Sequence, residues 1–306
     1  MQVGPFQVVE EIARGGAGVV YRARDAQGRW VALKLLLEHR ALNPLARARF
    51  RRETAALTRL RHPGVVSIVD AGEFEGQLWI ALDFVEGETL EQRLRRGSLP
   101  IPEVLDLFQQ LVQAMGYVHT CGLLHRDLKP DNVLLSGGRA LLTDFGLVLD
   151  EGRDGTRVTT SGVFMGTPGY WAPEQAFGDT GAIGPATDVY GLGGVLYACL
   201  TGRAPMTGAS LEDYVQAVRF GSIVPPRQAR TDVPAWLDAL CMRCLERDPA
   251  ARPASVEEVA RALASAGSSG AGGRARVGPW AVLVLALGVA ASLGVWHLAR
   301  GEDEPA

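Results

Sequence analysis

The sequence predicts an α+β fold in two lobes followed by one C-terminal transmembrane helix. The small β-rich N-lobe covers residues 6–85, and the larger, mainly α-helical C-lobe covers 86–264. Three observations carry this. The first third alternates β-branched runs with glycine turns around one amphipathic helical pattern. After Leu99 the apolar spacing becomes helical, with long runs over 104–121 and 189–201. Residues 277–299 contain no Asp, Glu, Lys or Arg. A chain of 306 residues, 47% hydrophobic, can bury one large core ahead of that segment.

The strands come first. Residues 6–11, 19–24 and 30–37 are rich in Val, Leu and aromatic residues. Gly15, Gly16 and Gly18 separate the first two and leave backbone amides unobstructed. Next comes an amphipathic helix with Phe50, Leu57 and Leu60 on its apolar face. Glu53, the one carboxylate between His39 and Val69, shares that face, where a carboxylate is costly unless paired. Lys34 is the expected partner. A surface glutamate beside Arg49 or Arg52 is the alternative, and the helix phase argues against it. The arginines at 47, 49, 51, 52, 59 and 61 read as a solvated face. Residues 78–84 form an apolar strand, followed by the turn Val85-Glu86-Gly87-Glu88.

The end of the chain differs in composition. Residues 265–276 are Gly/Ser/Ala-rich and read as a flexible linker. The 23 positions from Val277 to Ala299 would span roughly 34 Å as a helix, enough for a hydrocarbon core of about 30 Å. Trp280 and Trp296 lie near its ends, where interfaces favour them. Arg274 and Arg276 on one side put the preceding domain in the cytoplasm, with the short acidic tail 300–306 outside. Ala286, Ala290 and Gly294 recur at four-residue spacing and leave room for a homodimer of spans, although small residues are common enough here for chance to explain them. A net charge of −3 implies no general attraction to nucleic acid. Of the four cysteines, Cys241 and Cys244 form a C-x-x-C within a helical pattern and read as buried residues, ahead of a zinc or redox site. Cys121 and Cys199 are isolated.

The chemistry lies in two short runs, His125-Arg126-Asp127-Leu128-Lys129-Pro130-Asp131-Asn132 and Asp144-Phe145-Gly146. They bring one carboxylate, one ammonium, one amide and a second carboxylate onto neighbouring loops. Phosphoryl transfer from ATP uses those groups. Asp127 can accept a hydroxyl proton, Lys129 can neutralise the moving phosphate, and Asn132 and Asp144 can hold Mg²⁺.

These runs resemble the catalytic and metal-binding loops of the eukaryotic-like protein kinase family, in its bacterial serine/threonine branch. The resemblance covers residues 6 to about 264. It implies the two-lobed kinase fold with ATP between the lobes. Ile12, Ala13, Arg14, Gly15, Gly16, Ala17 and Gly18 would cover the phosphates, with Val20 and Ala32 beside the nucleotide. Ala13 departs from the family's first glycine. Lys34, in Val31-Ala32-Leu33-Lys34, would hold the phosphates with Glu53. The backbones of Asp83 and Val85 would hold adenine, with Leu82 guarding the inner pocket. Glu174, in Ala172-Pro173-Glu174, would pair with Arg252, and Asp188 would anchor the catalytic loop. Arg126 would meet a phosphate on Thr159 or Ser161 first, then Thr160. Thr167 would bond Asp127 and Lys129, favouring Ser/Thr substrates.

The resemblance thus implies a membrane-anchored kinase that moves the ATP γ-phosphate to Ser/Thr hydroxyls of proteins, using Mg²⁺ with Mn²⁺ as the alternative ion, under control of activation-loop autophosphorylation. A catalytically weak signalling scaffold is a second reading, but its usual sign, loss of the lysine or either aspartate, is missing. A small-molecule phosphotransferase is a third. Those generally lack the segment through Thr167 and Glu174, which implies a docking surface for a polypeptide.

Overall fold

The computed structural model describes residues 1–15, 18–36, 44–146, 169–208 and 210–269. By its internal contacts the chain divides into Met1–Leu263 and Ala264–Ala306. The elements that build the site all belong to the first unit.

Six antiparallel strands form the N-lobe sheet: β1 (Gln2–Val3), β2 (Phe6–Gly15), β3 (Gly18–Arg24), β4 (Trp30–Leu36), β5 (Ile68–Phe74) and β6 (Gln77–Asp83), in the order β1-β2-β3-β4-β6-β5. Alternation on β4 sorts its side chains to two faces. Val31, Leu33 and Leu35 bury with Trp79 and Ala81 in a small outer core. Val3 and Phe6 close that core, Phe6 edge-on to Trp79 at 5.1 Å between ring centres. Ala32 and Lys34 take the other face, in register with Leu82 and Ile80, and Lys34 also lies opposite Val20. That face looks onto the cleft.

Helix α1 (Pro44–Leu57) buries Phe50 and Leu57 against the sheet. Leu60 is buried as its spacing predicts, but it lies beyond the helix end. The turn there is closed by the Leu60 N–H donating to the Leu57 carbonyl, and Arg61 Nη1 donates to the carbonyls of Thr58 and Leu60.

A second, three-stranded sheet, β7 (Glu88–Thr89), β8 (Val133–Ser136) and β9 (Arg139–Leu142), joins the lobes. The Val66 N–H donates to the Leu142 carbonyl and the Leu142 N–H to the Gly64 carbonyl, each at 2.9 Å. At Gly87 a Cβ would fall 2.1 Å from the Leu135 carbonyl oxygen, so the crossing between lobes requires glycine. Helix α2 (Leu90–Leu94) then starts with a reciprocal cap between Thr89 and Gln92.

The C-lobe is built on α3 (Ile101–Thr120) and α5 (Pro185–Thr201), with α4 (Pro173–Ala176), α6 (Leu211–Phe220), α7 (Pro226–Ala229), α8 (Ala235–Cys244) and α9 (Val256–Ser269) around them. The two long helices begin three and four residues before the spacing predicts. Both open on a proline, at 102 and 185, suited to the first turn. Helix α5 is buried from Thr187 to Leu200. Its glycines admit close neighbours: a Cβ on Gly191 would lie 2.9 Å from Leu128 Cβ, and one on Gly193 would lie 2.6 Å from Cys244 Cβ.

Cys241 and Cys244 are buried helix residues, and burial pushes the Cys244 thiol up to about 12. Among the described residues no cluster of metal-ligating side chains forms. Helix α9 continues to Ser269, five residues into the stretch expected to be linker. Among the described residues no helix is long and apolar enough to cross a membrane. The expected span 277–299 and tail 300–306 lie outside them.

Candidate active site

The loop between α3 and β8 carries Asp127, Lys129 and Asn132. Its geometry is set from beneath. Asp188, near the start of α5, accepts the Arg126 N–H at 2.7 Å on Oδ1 and the His125 N–H at 2.9 Å on Oδ2. His119 Nε2 lies 2.8 Å from the same Oδ2. These bonds support Arg126 in the left-handed region, at φ 65°, which non-glycine residues rarely adopt. Leu128 plugs into the core beneath.

The buried His125 ties this loop to the strand that ends at Asp144. Its Nε2 lies 3.0 Å from the Thr143 carbonyl oxygen, which can only accept, so the ring proton sits on Nε2. Nδ1 is then free to accept from the Asp127 N–H, at 3.4 Å. Burial is the main cause that lowers the His125 pKa, against the nearby Asp188 and Asp127, so the neutral ring is favoured. The ring also packs on Phe145, 4.7 Å between centres.

Asp127 Oδ2 meets Lys129 Nζ at 3.0 Å and Asn132 Nδ2 at 3.0 Å. Nδ2 also donates to the Asp127 carbonyl at 2.6 Å. With the amide nitrogen so engaged, Asn132 can offer its oxygen to a metal. Asp144, at φ 55°, presents its carboxylate to the cleft. Burial alone would raise its pKa, but Lys34, with Lys129 behind it, holds it below the ordinary value, so it is ionised. Two hard oxygen ligands fit a divalent cation that completes its shell with phosphate oxygens and water.

One expected pairing is corrected. Lys34 Nζ lies 2.8 Å from Asp144 Oδ1, so Lys34 pairs with Asp144 and not Glu53. Glu53 turns to the catalytic loop, 3.6 Å from Arg126 Nη1. Arg126 therefore has a carboxylate partner in Glu53, while its expected phosphate partners at 159–161 lie outside the described residues. Helix phase puts Glu53 on the inward face, but two cations lie on that side and phase cannot choose between them.

The distant pair forms as expected. Arg252 meets Glu174 through two bonds of 2.8 Å, and Thr187 Oγ1 adds a third to Glu174, also at 2.8 Å. The remaining guanidinium hydrogens go to the carbonyls of Ala186, Glu246 and Arg247. The ion pair is closed off from water, the side chains being 0% and 4% exposed.

Val20, Ala32 and Lys34, the residues expected beside the nucleotide, share one face of the sheet by register. A cavity of about 20 Å³ lies behind them, among Leu36, Ile68, Ile80, Leu82 and Phe145. The Asp83 N–H is donated to the Ser67 carbonyl, so the Asp83 backbone has only its carbonyl to offer a ligand. Val85 is half-buried beside it. Ile12, Ala13, Arg14 and Gly15 are exposed, and Arg14 pairs with Glu11 at 2.6 Å. Gly18 is required by the sheet: a Cβ there would fall 2.0 Å from the Leu35 carbonyl oxygen. Gly16, Ala17, Thr159, Thr160, Ser161 and Thr167 lie outside the described residues. Sequence reasoning missed His119 and Gln175. Gln175 stands three residues after Ala172, the cap residue of α4, but alanine has no side chain to complete a capping box, so the sequence carries no such signature there.

A family model described as the protein kinase domain matches residues 6–263. The serine/threonine-protein kinase pkn2 of Myxococcus xanthus is 37% identical over 276 residues, covering 87% of this chain and 33% of that protein. The serine/threonine-protein kinase PknE of Mycobacterium tuberculosis is 37% identical over 252 residues, 81% of this chain and 44% of that one. The chain thus spans less than half the length of these curated relatives. The crystal structure of the Mycobacterium tuberculosis PknI kinase domain superposes with a TM-score of 0.69 at 32% identity, covering 87% of this chain and 97% of that one.

Proposed function

The chain belongs to the protein kinase family, and from that premise we propose that it is an ATP-dependent serine/threonine protein kinase anchored in the cell membrane. The observation that carries the activity is the Asp127–Lys129–Asn132 cluster facing Asp144 and Lys34. ATP lies between the lobes. Asn132 and Asp144 would hold the divalent metal, Mg²⁺ by preference, which offsets phosphate charge. Lys34 holds the α- and β-phosphates. Asp127 orients the substrate hydroxyl and takes its proton late, and Lys129 neutralises the moving phosphoryl group. The names of the relatives support serine/threonine substrates. The decisive test is phosphosite mapping after incubation with ATP and Mg²⁺ beside a Lys34→Met control.

The pairing of Glu53 with Arg126 supports regulation by the activation loop. A phosphate on Thr159 or Ser161 would compete with Glu53 for Arg126 through charge-assisted bonds. The Thr159→Ala, Thr160→Ala, Ser161→Ala triple variant is expected to phosphorylate a generic substrate about tenfold more slowly than the phosphorylated wild type, within the usual range of coupling energies. A wild-type rate in the triple variant refutes this regulation.

Residues 277–299 serve as the single membrane span, with the kinase in the cytoplasm. Full-length protein is expected to stay with membranes through high-salt and carbonate washes. Deleting residues 277–306 is expected to release an active soluble domain. Full-length protein that washes off would be peripheral, and a truncated form without activity would make the tail part of the folded unit.

A further inference from the structure

Arg126 and Asp127 share a peptide bond whose carbonyl belongs to Arg126. That carbonyl accepts a hydrogen bond of 2.6 Å from Gln175 Nε2, on α4. The other end of the same amide is also engaged: Gln175 Oε1 accepts the Ala172 N–H at 3.2 Å. A carbonyl can only accept and an N–H can only donate, so the two partners fix the orientation of the amide. Gln175 is 6% exposed. Its neighbour Glu174 is clamped by Arg252 and Thr187, so α4 is a rigid mount. Asp188 holds the Arg126 N–H from below, at 2.7 Å. The left-handed residue is therefore gripped on both sides, by Asp188 at its N–H and by Gln175 at its carbonyl. Rotation of the gripped peptide would swing the Asp127 Cα directly.

We propose that Gln175 is a positioning residue for phosphoryl transfer: its amide holds the Arg126–Asp127 peptide and so sets where the Asp127 carboxylate stands. The proposal rests on the kinase reading above. It makes α4, at the end of the activation segment, a second support of the catalytic loop.

The test compares Gln175→Met and Gln175→Glu with wild type and Asp127→Asn, all as full-length protein. Methionine keeps the volume and removes both bonds; glutamate keeps the acceptor and, ionised, loses the donor. Both variants are expected to lose about tenfold in kcat, since small misplacements of reacting groups have effects of that order, while KM for ATP stays within about twofold. Amide exchange over residues 125–129 is expected to quicken, while exchange in α5 and α8 stays as in wild type. Two results overturn the proposal: kcat within about twofold of wild type in both variants, or a loss matched by faster exchange throughout α5 and α8, which makes Gln175 a folding residue only. A wild type no more active than Asp127→Asn overturns the kinase reading instead. The exchange measurement needs no turnover, and unchanged exchange at 125–129 would then refute the grip of Gln175 by itself.

Discussion

Asp127→Asn is expected to lower phosphoryl transfer by about a thousandfold, within the range assigned to positioned acids and bases. The asparagine keeps the size of the side chain but cannot take the hydroxyl proton. It also places an amide where Lys129 Nζ and Asn132 Nδ2 now each find a carboxylate oxygen at 3.0 Å. Asp144→Asn should be equally severe through loss of the anionic metal ligand. The measurement is radiolabel transfer from ATP, both to the chain itself and to a generic protein substrate. Wild-type activity no greater than that of Asp127→Asn would favour the scaffold reading.

Arg252→Met is expected to have the largest effect on stability, about 3–5 kcal/mol, the cost of leaving a buried ion pair half-made. That is about 10 °C in melting temperature for a domain of this size. Methionine keeps most of the volume, but Glu174 and the carbonyls of Ala186, Glu246 and Arg247 all lose a donor. The sign with pH is distinctive. In wild type, burial tends to raise the Glu174 pKa, but the bonds and charge of Arg252 bring it below its ordinary value. The pair thus stabilises fully above the unfolded carboxyl pKa, about 4.3, and its contribution fades as pH falls through the lower folded value. Without Arg252 the burial effect dominates, and the carboxyl pKa rises. The deficit should therefore be smaller near pH 5 than near pH 8. Thermal melts of both proteins at the two pH values check this, and an equal deficit at both would mean that Glu174 is not the source.

Much of the site is legible in sequence because its chemistry is local. Asp127, Lys129 and Asn132 stand within six residues, and Asp144 follows one hairpin later, so short runs carry them. The strand alternation that brings Ala32 and Lys34 to one face is equally local. Arg252 and Glu174 are 78 residues apart and could be matched only through family resemblance. Charge partners were the weak point. Long side chains reach several partners from one backbone position, so helix phase placed Glu53 inward without choosing between Lys34 and Arg126. Gln175 was hidden for another reason. Its donor bond is to a main-chain carbonyl, and backbone acceptors leave no trace in residue identity.

Helix α5 has a consequence for how the chain folds. A glycine inside a helix costs about 1 kcal/mol relative to alanine. Gly191, Gly193 and Gly194 fall in the middle of α5, so the segment would scarcely be helical alone. It gains its form from what presses on the gaps: Leu128 of the catalytic loop at Gly191 and Cys244 of α8 at Gly193. The central helix and the loop that does the chemistry therefore consolidate together. A partly folded chain with an ordered α5 and a loose catalytic loop is disfavoured, which links the onset of activity during folding to completion of the C-lobe.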